Sequence, residues 1–374
     1  MRIAVQASDL DAQRIDGTRV YLKEILKRFG TIDPEAVFML YHRGEFNPAL
    51  APPECAQYHL EKCPFPVAWM QTRFAWELFR EQPEKLFLPI QAAPWFVPRV
   101  TEVTATIHDL AFKQYPETFS KQDLWKLNFL LAVAVSRADK LIAVSQSTKD
   151  DLLRYFPHLP PERVRVIHHG FDGNFFGTRL SQKEILQTLK SYELQAGSYV
   201  LYVGALQPRK NLIRLIEAFN IAKESMFEMK LVLAGEEAWL SDDILAARDK
   251  SPYQEDIILT GRVSFEALRA LYQGARFFAF PSLYEGFGLP ILEAFASGIP
   301  VLTAGNSSLR EVGGRAAIYV NAKSIHDIAE KLERLWSEPA LRTELIARGE
   351  EQLKKFSWDK CAKETLAYIQ SERA

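Results

Sequence analysis

Two glutamates with seven residues between them bracket a glycine-containing loop in the second half of the chain. Glu285 and Glu293 lie in the segment EGFGLPILE, which follows an apolar run and has a proline where a helix would begin. Carboxylates at this spacing can contact one small polyhydroxylated ligand from different sides. The backbone amides of Phe287, Gly288 and Leu289 lie at the predicted helix N-terminus, which favours an anion such as a phosphate.

A second turn places two cations next to the start of another predicted helix. Gly204 begins the segment GALQPRKN, in which Arg209 and Lys210 directly precede a helical pattern with one apolar face. A glycine-containing turn, paired cations and a helix N-terminus together predict an anion-binding site. For the glutamate segment the alternative is a capped turn without a ligand, because short motifs also occur by chance.

Apolar runs that alternate with helical periodicity must position these side chains. The alternation predicts an α/β protein in which two doubly wound domains each contain a parallel sheet. The six strands expected in the first domain are residues 2–7, 37–41, 86–89, 104–107, 140–144 and 165–167. The six expected in the second domain are residues 199–203, 230–234, 257–259, 277–280, 301–303 and 317–319.

Two loops at predicted strand ends of the first domain complete the set of candidates. In an open parallel sheet, ligands bind beyond the carboxyl ends of the strands. His108 directly follows the strand 104–107, and Gly17 lies just ahead of the first helix with Arg19 close by. We therefore expect both loops to lie near a ligand, although a lone histidine or a capped loop is often purely structural.

The composition excludes several classes of protein. A chain of 374 residues with 48% hydrophobic residues can fill the cores of two domains. A net charge of -1 removes the electrostatic reason to expect nucleic acid as a partner. Cys55, Cys63 and Cys361 lack the paired spacing of a zinc site and favour a reducing, cytoplasmic compartment. The sequence predicts neither a secretion signal nor a membrane-spanning segment.

Two further patterns have competing interpretations. Asp9 and Asp11 form a D-x-D pair, but without a partner histidine we expect them not to hold a metal. Residues 65–80 combine several aromatic side chains with Arg73 and Arg80, which is more typical of a helix half buried in a core than of a membrane-binding helix. The alternative is contact with an acceptor or a lipid surface, which would give peripheral association with the inner face of the cytoplasmic membrane.

The glutamate segment, preceded by Pro281 and Ser282, resembles the E-x7-E motif of retaining nucleotide-sugar glycosyltransferases of the mannosyltransferase-like family 4. The resemblance covers nearly the whole chain and includes the segments IHDLAF and GALQPRKN. It implies the GT-B fold, in which two Rossmann-like doubly wound domains face a central cleft. The expected parts are an acceptor-binding domain of residues 1–180, a donor-binding domain of residues 181–356 and a crossover helix of residues 357–374 that returns to the first domain.

The resemblance also assigns roles to the candidate residues. Arg209 and Lys210 would bind the donor diphosphate, although many relatives place the arginine directly after the glycine, where this chain has Ala205. Glu293 is suited to accept hydrogen bonds from the ribose hydroxyls, a role that an acidic residue has in dinucleotide folds. Glu285 would bind hydroxyls of the donor sugar.

Two further roles come from the resemblance. The backbone at residues 261–263 would contact the nucleotide base, and His108 would polarise a hydroxyl or shield the anomeric centre. His169 stands where the family usually has asparagine, and we assign it no chemistry. The donor-binding set is Gly17, Gly204, Arg209, Lys210, Val263, Glu285, Gly286, Phe287, Gly288, Leu289 and Glu293. The catalytic set is His108, Arg209, Lys210 and Glu285.

We therefore expect a retaining glycosyltransferase that moves a hexose to a glycan or lipid-linked acceptor in bacterial surface polysaccharide biosynthesis. The resemblance favours mannose as the hexose and GDP-mannose as the donor. Fixed positive charge at the leaving diphosphate makes a metal or another cofactor unnecessary. The alternatives are a non-catalytic nucleotide-sugar-binding protein and a sugar-phosphate synthase of the same fold. A dinucleotide-dependent oxidoreductase is disfavoured, because neither domain begins with G-x-G-x-x-G.

Overall fold

A computed structural model describes residues 1–372 as two compact units. The first unit contains Met1–Gly170 and the segment that begins at Ser357, and the second unit is Phe171–Phe356. Residues 373 and 374, the end of the predicted crossover helix, lie outside the described residues. The sequence places the boundary after residue 180, later than the structure does. Phe176 explains the difference, because its ring packs on Tyr272 of the second unit at 5.7 Å between centroids.

The first unit is built on a parallel sheet of seven strands. These are β1 (Arg2–Gln6), β2 (Val37–His42), β3 (Tyr58–Lys62), β4 (Lys85–Leu88), β5 (Glu102–Ile107), β6 (Lys140–Ala143) and β7 (Val164–Val166). Their order is β3-β2-β1-β4-β5-β6-β7. The prediction of six strands missed β3, because its residues YHLEK are mostly polar and lie at the edge of the sheet, largely in contact with solvent.

The second unit contains a parallel sheet of six strands. These are β8 (Tyr199–Val203), β9 (Lys230–Ala234), β10 (Ile257–Gly261), β11 (Phe277–Phe280), β12 (Val301–Ala304) and β13 (Ala317–Val320). Their order is β10-β9-β8-β11-β12-β13, so the sheet is doubly wound from β8. Strands β8 and β11 are neighbours, with Val200 opposite Phe277. The loops that follow these two strands therefore leave the same edge of the sheet side by side.

Helices cover both sheets. The first unit contains α1 (Gly17–Ile32), α2 (Ala75–Glu81), α3 (Ala111–Gln114), α4 (Lys121–Arg137), α5 (Gln146–Tyr155) and α15 (Trp358–Gln370). The second unit contains α6 (Gly173–Gly177), α7 (Gln182–Lys190), α8 (Leu212–Lys223), α9 (Asp242–Asp249), α10 (Phe265–Gly274), α11 (Leu289–Ala296), α12 (Leu309–Gly313), α13 (Ile325–Ser337) and α14 (Pro339–Leu353). Because the sheets are covered on both faces, the central strands are buried along almost their whole length, which explains their continuous apolar composition.

The C-terminal helix α15 packs on the first unit through polar contacts at both of its ends. Asp359 in its first turn pairs with Arg28 of α1. Near its end, the Tyr368 hydroxyl donates to the carbonyl oxygen of Arg163 at 3.0 Å. Lys140, which is fully buried and paired with Glu102, donates to the carbonyl oxygen of Ser371, the residue that directly follows α15. These contacts fasten α15 to strands and helices that lie far from it in sequence.

The aromatic segment before α2 is half buried. Met70–Phe74 forms a π-helical turn that continues into α2. Trp69 and Phe74 are buried, whereas Trp76 and Phe79 are exposed. Between residues 1 and 372, no helix combines the length and the apolar character that crossing a bilayer requires. The three cysteines are unpaired thiols.

Candidate active site

Two cations and one carboxylate meet where β8 and β11 end. Lys210 donates a hydrogen bond from Nζ to one oxygen of Glu285 at 2.6 Å, and Arg209 donates from Nη1 to the other at 3.0 Å. Arg209 also donates to the carbonyl oxygen of Tyr284. The backbone joins the same two loops, because the amide of Leu283 donates to the carbonyl oxygen of Arg209 at 2.9 Å. We call Arg209, Lys210 and Glu285 the charge cluster.

The charge cluster lies on an aromatic floor. The Lys210 ammonium is 5.1 Å from the centroid of the Phe280 ring, and that ring stacks on Tyr202 at 5.9 Å. Burial alone would raise the pKa of Glu285, but Arg209 and Lys210 outweigh it and lower that pKa to about 2. Glu285 is therefore ionised at neutral pH, and the cluster of two cations and one carboxylate has a net charge of +1.

Buried polar side chains hold the loop that contains Glu285. Asn211 donates to the carbonyl oxygens of Pro281 and Ala322 at 3.0 and 2.7 Å. The Ser308 hydroxyl shares its one proton between the carbonyl oxygens of Glu285 and Phe287, at 2.9 and 2.7 Å. The amide of Glu285 in turn donates to the Ser307 hydroxyl at 3.1 Å. Sequence reasoning did not identify Asn211 as a scaffold residue. Its position just before α8 was the available signal, since asparagine tolerates the left-handed backbone observed there (φ 64°).

The N-terminus of α11 begins at the end of this loop. Gly288 occupies the N-cap position with φ 113°, a conformation that a side chain would disfavour, and no side chain caps the helix. Pro290 occupies the first turn, as the sequence predicts. Gly286, Phe287, Gly288 and Leu289 therefore run from the charge cluster into a helix N-terminus, whose partial positive charge adds to the net positive charge of the cluster.

Glu293 lies on α11 and does not belong to the charge cluster. Its Oε2 accepts a hydrogen bond from the hydroxyl of Tyr272 on α10 at 2.9 Å. Burial raises the pKa of Glu293 to about 7, and the Tyr272 hydroxyl lowers it by less than burial raises it. The two glutamates of the motif thus differ in pKa, because Glu285 lies between two cations and Glu293 lies against the phenol of Tyr272. The sequence offered no sign that Tyr272 is the partner of Glu293.

The other second-unit candidates occupy neighbouring strand ends. Gly204 directly follows β8, and its amide donates to the carbonyl oxygen of Ala234 at 2.9 Å. Val263 lies in the loop after β10 and is half buried, while Gly261 before it is exposed. Since β10, β9, β8 and β11 are consecutive in the sheet, these loops and the charge cluster line one edge of the second unit.

His108 and Gly17 lie in the first unit. Gly17 is the first residue of α1, where Asp16 caps the helix by accepting from the amide of Arg19 at 3.3 Å. His108 follows β5, and its Nε2 lies 2.7 Å from the carbonyl oxygen of Pro89. Because a carbonyl only accepts, Nε2 carries the proton. Burial lowers the pKa of His108, so at neutral pH the ring is uncharged and its Nδ1 is an acceptor.

A ring cluster surrounds His108, and sequence reasoning missed it. Tyr21 contacts His108 edge-on at 5.2 Å between centroids and stacks on His169 at 4.8 Å. His169 in turn lies 5.5 Å from Trp358 at the start of α15. Gly170 permits this arrangement, since a Cβ atom there would lie 2.0 Å from the amide nitrogen of Trp358. His169, to which we assigned no chemistry, thus packs beside the candidate histidine.

The aspartates of the D-x-D pair are engaged in holding their loop. Asp11 accepts from the amides of Arg43 and Gly44 at 2.9 and 2.8 Å, and Asp9 lies 3.8 Å from the Arg19 guanidinium. Across residues 1–372, no group of three or more histidine, cysteine, aspartate or glutamate side chains is arranged to hold a metal. The structure thus gives Asp9 and Asp11 partners within the protein.

Comparisons with known proteins identify the family of this chain. Residues 181–352 match the family described as Glycosyl transferases group 1, and residues 47–175 match Glycosyltransferase Family 4. The chain is 30% identical over 269 residues to O-antigen chain mannosyltransferase B of Escherichia coli, a match that covers 72% of this chain and 70% of that protein. This chain is a family 4 glycosyltransferase.

Further similarities support the family and the fold. The glycosyltransferase is 28% identical over 275 residues to the serotype-specific mannosyltransferase WbdA of Escherichia coli, but that match spans only 33% of the WbdA chain. Among solved structures, Anabaena Alr3699/HepE in complex with UDP-glucose has a TM-score of 0.77 at 18% identity and covers 98% of this chain and 100% of that one. The prediction of two Rossmann-like α/β domains of the GT-B type is confirmed.

Proposed function

We propose that this glycosyltransferase moves a hexose from a nucleotide diphosphate sugar to a glycan or lipid-linked acceptor during synthesis of a bacterial surface polysaccharide. The names of the relatives support the pathway, since one is an O-antigen chain mannosyltransferase. The same relatives favour mannose, and hence GDP-mannose as the donor. The neighbour in complex with UDP-glucose makes that nucleotide sugar the main competitor.

The observation that carries the proposal is the charge cluster. Departure of a nucleoside diphosphate requires positive charge that is already oriented where the negative charge develops. Glu285 holds Arg209 and Lys210 in place and cancels only one of their two charges. The remaining charge and the N-terminus of α11 together form a site for the leaving diphosphate.

The position of Glu285 supports transfer with retention by attack on the same face of the sugar. Both of its oxygens accept hydrogen bonds from cations, and the lowered pKa reflects a weak base. Such a carboxylate is a poor nucleophile toward the anomeric carbon and a poor base toward the acceptor. We propose that it orients the cations and accepts from a donor hydroxyl, while an oxygen of the departing phosphate takes the acceptor proton.

The remaining residues bind the donor or shape the reacting centre. We propose that Glu293 accepts from the ribose hydroxyls, that the backbone around Val263 contacts the base, and that Gly204 allows close approach of the phosphates. His108, uncharged and with Nδ1 as acceptor, would hydrogen-bond a sugar hydroxyl. Arg209 and Lys210 supply the charge that a divalent metal provides in other glycosyltransferases, so we propose transfer without a metal.

A donor panel tests this proposal. Purified protein is incubated with GDP-mannose, UDP-glucose or ADP-glucose and a membrane fraction as the source of acceptor, with and without excess chelator. We expect turnover with GDP-mannose, an unchanged rate in chelator and an α-linked product by NMR, since the donor is α-linked. A preference for a different donor would change the assignment of the sugar. Activity that is lost in chelator and restored by magnesium or manganese would contradict the proposal that Arg209 and Lys210 supply the charge without a metal. Binding of every donor without transfer would instead indicate a non-catalytic nucleotide-sugar-binding protein.

A further inference from the structure

Four exposed aromatic side chains lie together on one face of the first unit. Trp125 and Phe129 are one turn apart on α4, and their rings stack at 5.6 Å with an interplanar angle of 2°. Trp95, from the loop after β4, contacts Phe129 edge-on at 6.3 Å. The exposed fractions are 72% for Trp125, 41% for Phe129, 45% for Trp95 and 67% for Phe96. We call Trp95, Phe96, Trp125 and Phe129 the aromatic patch.

The aromatic patch is held in place by the fold. The side chain of Gln71 accepts from the amide of Trp95 at 2.7 Å and donates to the carbonyl oxygen of Ala93 at 3.1 Å. Trp125 and Phe129 project from α4, a helix of 17 residues. Contiguous exposed aromatic surface is uncommon on proteins that remain free in water and marks a surface for interaction.

The loop and the helix that form the aromatic patch contain more basic than acidic residues. The Arg137 guanidinium lies 5.9 Å from the centroid of the Phe96 ring. The loop and helix that form the patch contain Arg99, Lys121, Lys126 and Arg137 but only one acidic residue, Asp123. Asp123 accepts a hydrogen bond from the Ser120 hydroxyl at the start of α4. In a chain with nearly equal numbers of basic and acidic residues, this local excess of positive charge is a distinct feature.

We propose that the aromatic patch docks the protein on the surface of an anionic lipid bilayer. Tryptophan and phenylalanine insert at the boundary between headgroups and acyl chains, and nearby lysine and arginine bind anionic headgroups. The inference rests on the proposed function in one respect: a protein docked on the bilayer would meet a lipid-linked acceptor there. It assigns a bilayer contact to α4 and the loop after β4, a different part of the first unit from residues 65–80.

Charge complementarity favours the bilayer over a second copy of this chain. A two-fold symmetric contact through the aromatic patch would place Arg137 and Lys126 near the same residues of the other copy. Like charges facing one another across an interface oppose association. An anionic bilayer instead offers negative charge over the whole face.

Vesicle sedimentation tests the proposal with the full chain. The probes are vesicles of phosphatidylcholine alone and vesicles that also contain phosphatidylglycerol, each at low and high salt. We expect binding to the anionic vesicles that weakens at high salt and is far weaker on the neutral ones. The double variant Trp125→Ala/Phe129→Ala and the double variant Lys126→Glu/Arg137→Glu should each lower the partition coefficient about tenfold or more.

Matched controls come from the second unit. Phe227→Ala removes an aromatic side chain that is 78% exposed, and Lys183→Glu reverses an exposed charge on α7, so both should bind vesicles like wild type. Donor hydrolysis in solution, which needs no membrane, should be the same in all variants. Wild-type protein that binds anionic vesicles but hydrolyses no donor would contradict the proposed function without contradicting the docking proposal.

Three results would overturn the docking proposal. One is wild-type protein that does not sediment with anionic vesicles. Another is wild-type affinity in both patch variants. The third is detection by light scattering of a wild-type dimer that becomes a monomer in the variant Trp125→Ala/Phe129→Ala. That result would show that the patch binds a second copy of the chain.

Discussion

The Nζ atom of Lys210 lies 2.6 Å from an oxygen of Glu285, although 75 positions separate the two residues in the chain. The contact exists because β8 and β11 are adjacent in the sheet while β9 and β10 lie on the far side of β8. This strand order brings a cation-containing turn and a glutamate-containing loop to one point.

Lys210→Ala should reduce kcat about 100-fold, because one fixed charge at a leaving group contributes about 3 kcal/mol to the barrier. The variant should remain folded, since Lys210 ends the 3-10 turn Pro208–Lys210 and is not part of the hydrophobic core. Steady-state kinetics and circular dichroism check both points. Lys183→Ala, which removes an exposed lysine on α7, is the matched control and should behave like wild type. Wild-type turnover in folded Lys210→Ala protein would exclude a role for Lys210 at the diphosphate.

Glu285→Gln should lower the Tm at pH 7. The folded pKa of about 2 lies below the unfolded value, so ionised Glu285 stabilises the fold above about pH 4.5, and this contribution is lost as the pH falls toward 2. The shift corresponds to about 3 kcal/mol, or about 6 to 12 °C for a domain of this size. Thermal melts should show a difference from wild type that stays constant between pH 6 and 8. A variant as stable as wild type would mean that the cluster does not stabilise the fold.

Glu293→Gln should show the opposite dependence on pH. The folded pKa of about 7 lies above the unfolded value, so the contribution of Glu293 to stability is fully present below about pH 4.5 and is lost as the pH rises through 7. Between pH 5.5 and 8.5, we expect the free energy of unfolding of the variant to rise by about 2 kcal/mol relative to that of wild type. The measurement is Tm across that range, with Glu285→Gln as the comparison. Parallel profiles for wild type and Glu293→Gln would contradict the raised pKa.

Donor affinity and turnover should separate between the two units. Glu293→Ala should weaken calorimetric binding of nucleotide sugar by removing the ribose contacts. His108→Ala should keep donor affinity within a few-fold and depress kcat, because His108 lies in the first unit and the donor-binding loops lie mainly in the second. If His108→Ala abolishes donor binding while Glu293→Ala binds normally, the donor belongs to the first unit.

Gly170→Ala should destabilise the first unit. A Cβ atom at this position would lie 2.0 Å from the amide nitrogen of Trp358, so the start of α15 or the chain after His169 would have to move. Overpacking of this kind typically costs about 1 to 3 kcal/mol. Gly177→Ala is the matched control, since its nearest atom would be 4.0 Å away. Equal Tm values for the two variants would show that the first unit relaxes around Gly170.

Local sequence signals determined much of the fold. Strands such as β8 and β11 are continuous apolar runs, because a parallel strand covered by helices is buried on both faces. A glycine loop followed by proline marked the start of α11, since backbone preferences act within a few residues. The motif glutamates and the cations near Gly204 were also visible, because each depends on neighbouring residues in the chain. Strand β3 was not, since its polar residues lie at an exposed edge and leave no apolar pattern.

Only the tertiary structure decided which of these side chains meet. It paired Glu285 with Arg209 and Lys210 and Glu293 with Tyr272, and so gave two glutamates of one motif pKa values of about 2 and about 7. It also brought Trp95 to Phe129 and packed His169 beside Tyr21. Such contacts depend on strand order and helix packing, which sum many weak interactions over distant parts of the chain. A pKa in turn depends on every charge and on the burial around a group, so it is a property of the folded arrangement and not of a motif.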